Sequence, residues 1–150
     1  MGLSTLLLIC SHPAGQARQA HSNQEYPHEN RRFHSLARQV QAWLRSDLLS
    51  IRQERSTLGV FYGAQSAPLS SAAGLAAEKL FYAAHALLKN NAEYLFDRWS
   101  IADVDLALML NRLIVGGDPV PSSLVEYAQR QWARPSVQAW VNLRRPPLQV

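Results

Sequence analysis

Apolar side chains recur along much of this chain at intervals of three and four residues, which places them on one face of an α-helix. The first such stripe begins near Arg31 and continues to about Arg55. Its members are Phe33, Leu36, Ala37, Val40, Trp43, Leu44, Leu48 and Ile51, with Asp47 as a charged exception. No part of the chain alternates convincingly between apolar and polar residues. The pattern therefore predicts an all-α fold.

Residues that end or begin helices divide the remainder of the chain. Two glycines and a proline mark 56–69 as a connection with at most a partial turn, and Ser70 is suited to cap a second helix that ends near residue 91. Three further helices are predicted over 101–115, over 122–132 and from Pro135 onward. The sequence thus predicts a five-helix bundle over 31–145, preceded by an irregular segment over 1–30 and followed by a tail over 146–150.

The start of the third helix carries the most informative signal. Ser100 and Asp103 have the spacing of a capping box, and Trp99 and Val104 occupy the positions of a hydrophobic staple. Asp103 also places a negative charge at the positive end of the helix dipole. Because the following residues are apolar on almost every side, we expect a buried central helix without a solvent-facing side.

These features together resemble the C-terminal domain of the glutathione S-transferase family. The resemblance rests on three segments, Arg38–Leu48 in the first helix, Tyr94–Trp99 before the capping box, and Arg134–Val137 near the end. It extends from about Tyr26 to Arg145 and is closest to stress-associated bacterial glutathione transferases, which act in detoxification. It implies an all-helical domain that forms the apolar wall for a hydrophobic electrophile and contributes to a homodimer interface.

The resemblance also implies that the catalytic chemistry lies elsewhere. In this family the glutathione thiolate attacks an electrophile or a peroxide, and a thioredoxin-like domain binds glutathione and holds the catalytic residue. Residues 1–30 are too few for the βαβ unit of such a domain, which takes roughly thirty residues or more. We therefore expect no catalytic residue in this chain, and glutathione as a co-substrate only where a thioredoxin-like domain is supplied. A non-catalytic helical binding or dimerisation module, or a truncated product, are the alternatives.

Five side chains are candidates for the substrate pocket that the resemblance implies. They are Trp43, Asp47, Phe61, Tyr62 and Arg112. Asp47 and Arg112 interrupt apolar surfaces, and an unpaired buried charge costs several kcal/mol, so each needs a partner or a cleft. Pairing of Arg112 with Asp47 or with Asp105 is an equally good explanation, and Trp43 is also explained as a core residue.

Composition excludes several other classes of function. The net charge is +4, but Arg31-Arg32 and Arg144-Arg145 lie at opposite ends of the chain, so no nucleic-acid-binding patch is predicted. No two of the five histidines are four residues apart, and with a single cysteine, Cys10, a metal site is not expected. That single cysteine suits the reducing cytoplasm. The apolar segment near the start is too short to span a bilayer, so we expect no membrane association.

Overall fold

The computed structural model describes residues 28–63 and 67–147. These residues form seven α-helices and one 3-10 turn, with no strand among them. The elements are α1 (His28–Ser46), α2 (Leu49–Glu54), α3 (Thr57–Tyr62), α4 (Ser71–Leu87), the 3-10 turn (Lys89–Asn91), α5 (Ile101–Val115), α6 (Ser122–Trp132) and α7 (Pro135–Val141). The all-α prediction is confirmed, and none of these helices is long and apolar enough to cross a membrane. The predictions made for residues 1–27 and for Cys10 lie outside the described residues.

The first predicted helix is interrupted, which is one reason why the bundle has more than five helices. α1 ends at Ser46 and α2 begins at Leu49. At this break Ser46 Oγ donates a hydrogen bond to Asp47 Oδ1 over 2.7 Å. Leu48 leaves helical geometry yet stays fully buried. The connection that follows contains a further helix, α3, which Gly63 ends in the left-handed conformation at φ 68°.

α5 is the central helix, packing against α1, α2, α3 and α6. Its inward residues, such as Leu110 and Leu113, are fully buried. The prediction that α5 has no solvent-facing side is wrong along one stripe, the uncovered stripe, which the other helices leave partly accessible. The stripe consists of Ile101, Asp105, Leu108, Arg112 and Val115, which share one helix face. Its two ends are the most accessible, with Ile101 54% and Val115 45% exposed.

Asp103 joins three parts of the chain at the start of α5. Its fully buried carboxylate accepts hydrogen bonds at Oδ2 from the Ser100 amide over 2.7 Å and from the Ser100 hydroxyl over 3.0 Å, and the predicted capping box is present. Oδ1 accepts from the Leu95 amide over 2.7 Å and from the Tyr127 hydroxyl over 2.9 Å. One carboxylate therefore holds the preceding loop, the helix start and α6 together.

The residues proposed as a hydrophobic staple lie on either side of this box. The Arg134 guanidinium lies over the Trp99 ring, 4.6 Å from the ring centroid, in a cation–π contact. Val104 is half-buried on α5. The staple itself stays a prediction.

The end of α5 is joined to α2 by an ion pair. Gly117 has a φ of 78°, and the amides of Gly117 and Asp118 donate to the last turn of α5, which is a Schellman motif. Asp118 then accepts two hydrogen bonds from the Arg55 guanidinium, over 2.6 and 2.7 Å. The two side chains are only 11% and 3% exposed. A Cβ at Gly116 would lie 2.5 Å from Arg55 Nε, so glycine leaves the space that this ion pair occupies.

Candidate functional site

A pocket of about 200 Å³ opens between α1, α2 and α5. Its lining consists of Gln41, Leu44, Arg45, Arg52, Asp105, Leu108, Met109 and Arg112. α5 provides half of these residues, largely from its uncovered stripe. Each of the three helices contributes one arginine to the lining: Arg45, Arg52 and Arg112. The pocket therefore lies where the other helices leave the central one accessible.

Arg112 is held at this pocket by uncharged groups and pairs with no carboxylate among residues 28–63 and 67–147. Its Nη1 donates to the backbone oxygen of Arg55 over 2.6 Å, and its Nη2 donates to Thr57 Oγ1. Burial, together with the positive charge of Arg52, lowers the pKa of Arg112, although an arginine keeps its charge in a protein. These two bonds orient the guanidinium and leave its other N–H donors available. The alternative explanation, in which Arg112 pairs with Asp47 or Asp105, is wrong.

Among the described residues that line the pocket, Asp105 alone carries a carboxylate. Its Oδ2 accepts a hydrogen bond of 2.6 Å from Gln41 Nε2, which connects α5 to α1. Arg52 Nη1 donates to the backbone oxygen of Arg45 over 2.8 Å. Three guanidinium groups thus share the pocket with one carboxylate, and its lining within the described part of the chain carries a net positive charge.

The structure does not bring the five sequence-predicted candidates together. Arg112 lines the pocket, whereas Trp43 is half-buried against the hydrophobic core. Asp47 is 41% exposed and pairs with Lys79 Nζ over 2.8 Å. The hydrogen bond from Lys79 lowers the pKa of the Asp47 carboxyl. The charge on the first stripe is therefore explained by a partner at the surface.

Phe61 and Tyr62 contact α7 and the segment that follows it. The Phe61 ring meets Trp140 edge to face with centroids 5.0 Å apart, and the Arg145 guanidinium lies 4.0 Å from the Phe61 centroid. The Tyr62 hydroxyl donates to the backbone oxygen of Pro146 over 2.9 Å. In this structure both aromatic residues attach the end of the domain to α3.

Sequence reasoning did not select three polar residues that line the pocket. These are Gln41, Arg45 and Arg52. A signal was present, since Gln41 and Arg45 are four residues apart in one predicted helix and share a face. Asp105 and Arg112 are seven residues apart in the central helix and also share a face. Two polar pairs on helices that pack together predict a polar pocket between them.

Residues 28–145 match the family model described as the glutathione S-transferase C-terminal domain. A solved structure of a glutathione transferase homologue from Burkholderia gl BGR1, with bound glutathione, is similar at 48% identity and a TM-score of 0.53. The match covers 71% of this chain and 49% of that protein, so this chain spans about half of the homologue's length. No curated protein matches the sequence. The family model covers the described helices and more than two thirds of the sequence. The chain therefore belongs to the glutathione S-transferase family through the C-terminal domain.

Proposed function

We propose that this chain is the helical substrate-binding domain of a glutathione transferase and works beside a thioredoxin-like domain that holds glutathione. The observation that carries the proposal is the uncovered stripe of α5, from Ile101 to Val115. A central helix is ordinarily covered, and accessible apolar residues such as the two ends of this stripe are typical of an interaction surface. The family match and the glutathione-bound homologue support this assignment.

In the proposed reaction, the sulfur of glutathione attacks an electrophilic carbon. A carbon–sulfur bond forms, the leaving group departs with its electron pair, and the thiol proton passes to solvent. The described helices contribute to the binding of the electrophile. Leu44, Leu108 and Met109 offer apolar contacts to its carbon skeleton, and Arg112 offers N–H donors. A hydrophobic electrophile with a polar substituent fits this lining.

A chimaera tests this division of roles. The half of the Burkholderia homologue that this chain does not match is joined to residues 28–145, and glutathione binding is measured by calorimetry. Conjugation to a chlorodinitrobenzene substrate is measured in parallel. We expect neither binding nor conjugation from the 150-residue chain alone, and both from the chimaera.

A pair of substitutions locates the effect in the pocket. Leu108→Asp places a charge in the lining and is expected to raise the KM for the electrophile, while the KM for glutathione changes little. Leu143→Asp is the matched control, because Leu143 is exposed outside the pocket. The proposal is refuted by a chimaera that binds glutathione but conjugates no faster than the homologue's half alone.

A second candidate function is homodimerisation, and the outer face of α4 favours it. Leu75 is 67% exposed and Tyr82 is 82% exposed, and their spacing of seven residues places them on one face. Aromatic residues are enriched at interfaces between proteins. Light scattering of the chain is expected to give the mass of a dimer, and the double variant Leu75→Asp, Tyr82→Asp that of a monomer. A monomeric unsubstituted chain would contradict this role.

We also propose that the protein acts in the cytoplasm in detoxification under stress. The resemblance to stress-associated bacterial enzymes and the single cysteine in the sequence support this setting. Cells lacking the gene are expected to be more sensitive to an electrophile than cells that carry it. Equal sensitivity of the two strains would argue against the role in detoxification.

A further inference from the structure

The pocket between α1, α2 and α5 carries more positive charge than an apolar substrate requires. Arg45, Arg52 and Arg112 all line it. The single carboxylate of the lining, on Asp105, is already bonded to Gln41. Within residues 28–63 and 67–147, none of the three arginines forms an ion pair with a carboxylate. Clustered like charges repel one another, so an anion that enters this pocket relieves repulsion as well as forming new bonds.

We propose that this pocket is a binding site for a small oxyanion, the carboxylate or phosphate group of a ligand, held by Arg112 together with Arg45 and Arg52. The site requires neither glutathione nor a second domain. It lies in the same pocket to which the proposed function assigns the electrophile, but oxyanion binding by the 150-residue chain can fail or hold whether or not glutathione is conjugated.

Arg112 supplies the orientation that such a site needs. Its bonds to the Arg55 backbone oxygen and to Thr57 fix the plane of the guanidinium. A planar guanidinium matches the geometry of carboxylate and phosphate oxygens and can bind both oxygens of one group. Because the side chain is already ordered, little conformational entropy is lost when the anion binds. Arg52 is positioned in a similar way by its bond to the Arg45 backbone oxygen.

The size and the remaining lining define the class of ligand. A volume of about 200 Å³ corresponds to roughly seven water molecules at about 30 Å³ each. It is smaller than the roughly 300–1,000 Å³ of pockets that enclose drug-sized ligands. Leu44, Leu108 and Met109 supply apolar contacts next to the arginines. A small acid with a short carbon skeleton, or a phosphate group, satisfies both parts of the lining.

NMR titration of the 150-residue chain tests the site with two probes, succinate and inorganic phosphate. Sodium chloride at matched ionic strength is the reference, since exposed charges respond to salt alone. We expect the side-chain N–H signals of Arg45, Arg52 and Arg112 to shift and saturate with at least one probe. Saturation with succinate only identifies a carboxylate ligand, and saturation with phosphate only identifies a phosphate ligand.

Substitutions of opposite sign separate a binding role from a structural one. Arg112→Gln is expected to weaken binding about tenfold, the loss of one charge-assisted bond. Arg45→Gln, at an exposed residue, should weaken binding about two- to fivefold. Asp105→Asn removes the only negative charge of the lining while keeping an oxygen for Gln41, so it should strengthen binding. Arg144→Gln, at an exposed arginine outside the pocket, should leave binding unchanged.

Either of two results overturns the proposal. One is a shift of the arginine signals that is the same in chloride as in both probes. The other is an Asp105→Asn variant that binds no more tightly than the unsubstituted chain. If Arg112→Gln fails to fold, as judged by circular dichroism, Arg45→Gln and Asp105→Asn still decide the question. The Arg45 side chain has no hydrogen bond within the described residues, and Asp105→Asn keeps an oxygen that accepts from Gln41.

Discussion

Replacing Asp103 is expected to destabilise this domain more than any other single polar substitution at the start of α5. Asp103→Ala removes the acceptor of four buried donors, the amides of Leu95 and Ser100 and the hydroxyls of Ser100 and Tyr127. A buried donor without a partner costs about 1–3 kcal/mol, so four of them cost roughly 4–12 kcal/mol. The free energy of unfolding of a whole domain is about 5–15 kcal/mol, so the variant should be largely unfolded or close to it.

Urea unfolding followed by circular dichroism measures this loss against two milder variants. Tyr127→Phe removes one hydroxyl and its bond to Asp103, and is expected to cost about 1 kcal/mol. Asp103→Asn keeps one carbonyl oxygen but places an amide nitrogen near the donors of Leu95 or Ser100, so its cost should fall between those of the other two variants. The double variant Asp103→Ala, Tyr127→Phe should cost less than the two single changes added together, because both remove the same hydrogen bond.

The ranking of these variants is what can refute the reasoning. If Asp103→Ala costs no more than Tyr127→Phe, the amides of Leu95 and Ser100 do not depend on this carboxylate. If the costs of the two single changes add in the double variant, Tyr127 and Asp103 do not act through a shared bond. Either result would make the carboxylate a local feature of α5 and not the junction of three segments.

Three further outcomes follow from the described contacts. Gly116→Ala places a methyl group 2.5 Å from Arg55 Nε and should lower the melting temperature. Its cost in stability should approach the roughly 3–5 kcal/mol of a broken buried ion pair. An unchanged melting temperature would show that the guanidinium moves aside. Burial and the neighbouring Asp103 carboxylate raise the pKa of Tyr127. Ultraviolet titration should therefore show one tyrosine that ionises only on unfolding. Stability should fall above about pH 10, because the unfolded state loses there the proton that the folded state keeps. Hydrogen bonds from Ser70 lower the pKa of Glu54 in the folded state. The stabilising effect of the Glu54 carboxylate is therefore present above about pH 4.3 and is lost as the pH falls through its folded-state pKa. Glu54→Gln should make the urea midpoint less dependent on pH in that acid range.

Features that depend on neighbouring residues could be predicted from the sequence. The capping box needs only Ser100 and Asp103 at a spacing of three, and the end of α5 needs only a glycine that accepts a positive φ. The all-α class follows in the same way from the spacing of apolar residues. For the capping box and the helix end, the deciding bonds lie within one or two turns of helix. For the fold class, the spacing of apolar residues is local, although the burial that it produces is not.

Features that depend on distant parts of the chain could not be predicted. Arg112 binds a backbone oxygen and a hydroxyl at positions more than fifty residues earlier, and these groups reach it only because α2 and α3 are separate short helices. Asp47 lies on an apolar stripe in the sequence, but the break between α1 and α2 brings it to Lys79 at the surface. No local spacing encodes either arrangement.

Through Arg55, the orientation of Arg112 in the pocket depends on residues that do not line the pocket. The Arg55 guanidinium holds Asp118, the Arg55 backbone oxygen orients Arg112, and the absence of a side chain at Gly116 gives Arg55 room. A substitution at position 55, 116 or 118 that shifts the Arg55 backbone would therefore reorient Arg112 without altering any lining residue. Relatives with identical pocket linings can then differ in the ligands that they select, and divergence of specificity in this domain has to be traced at the end of α5 as well as in the pocket.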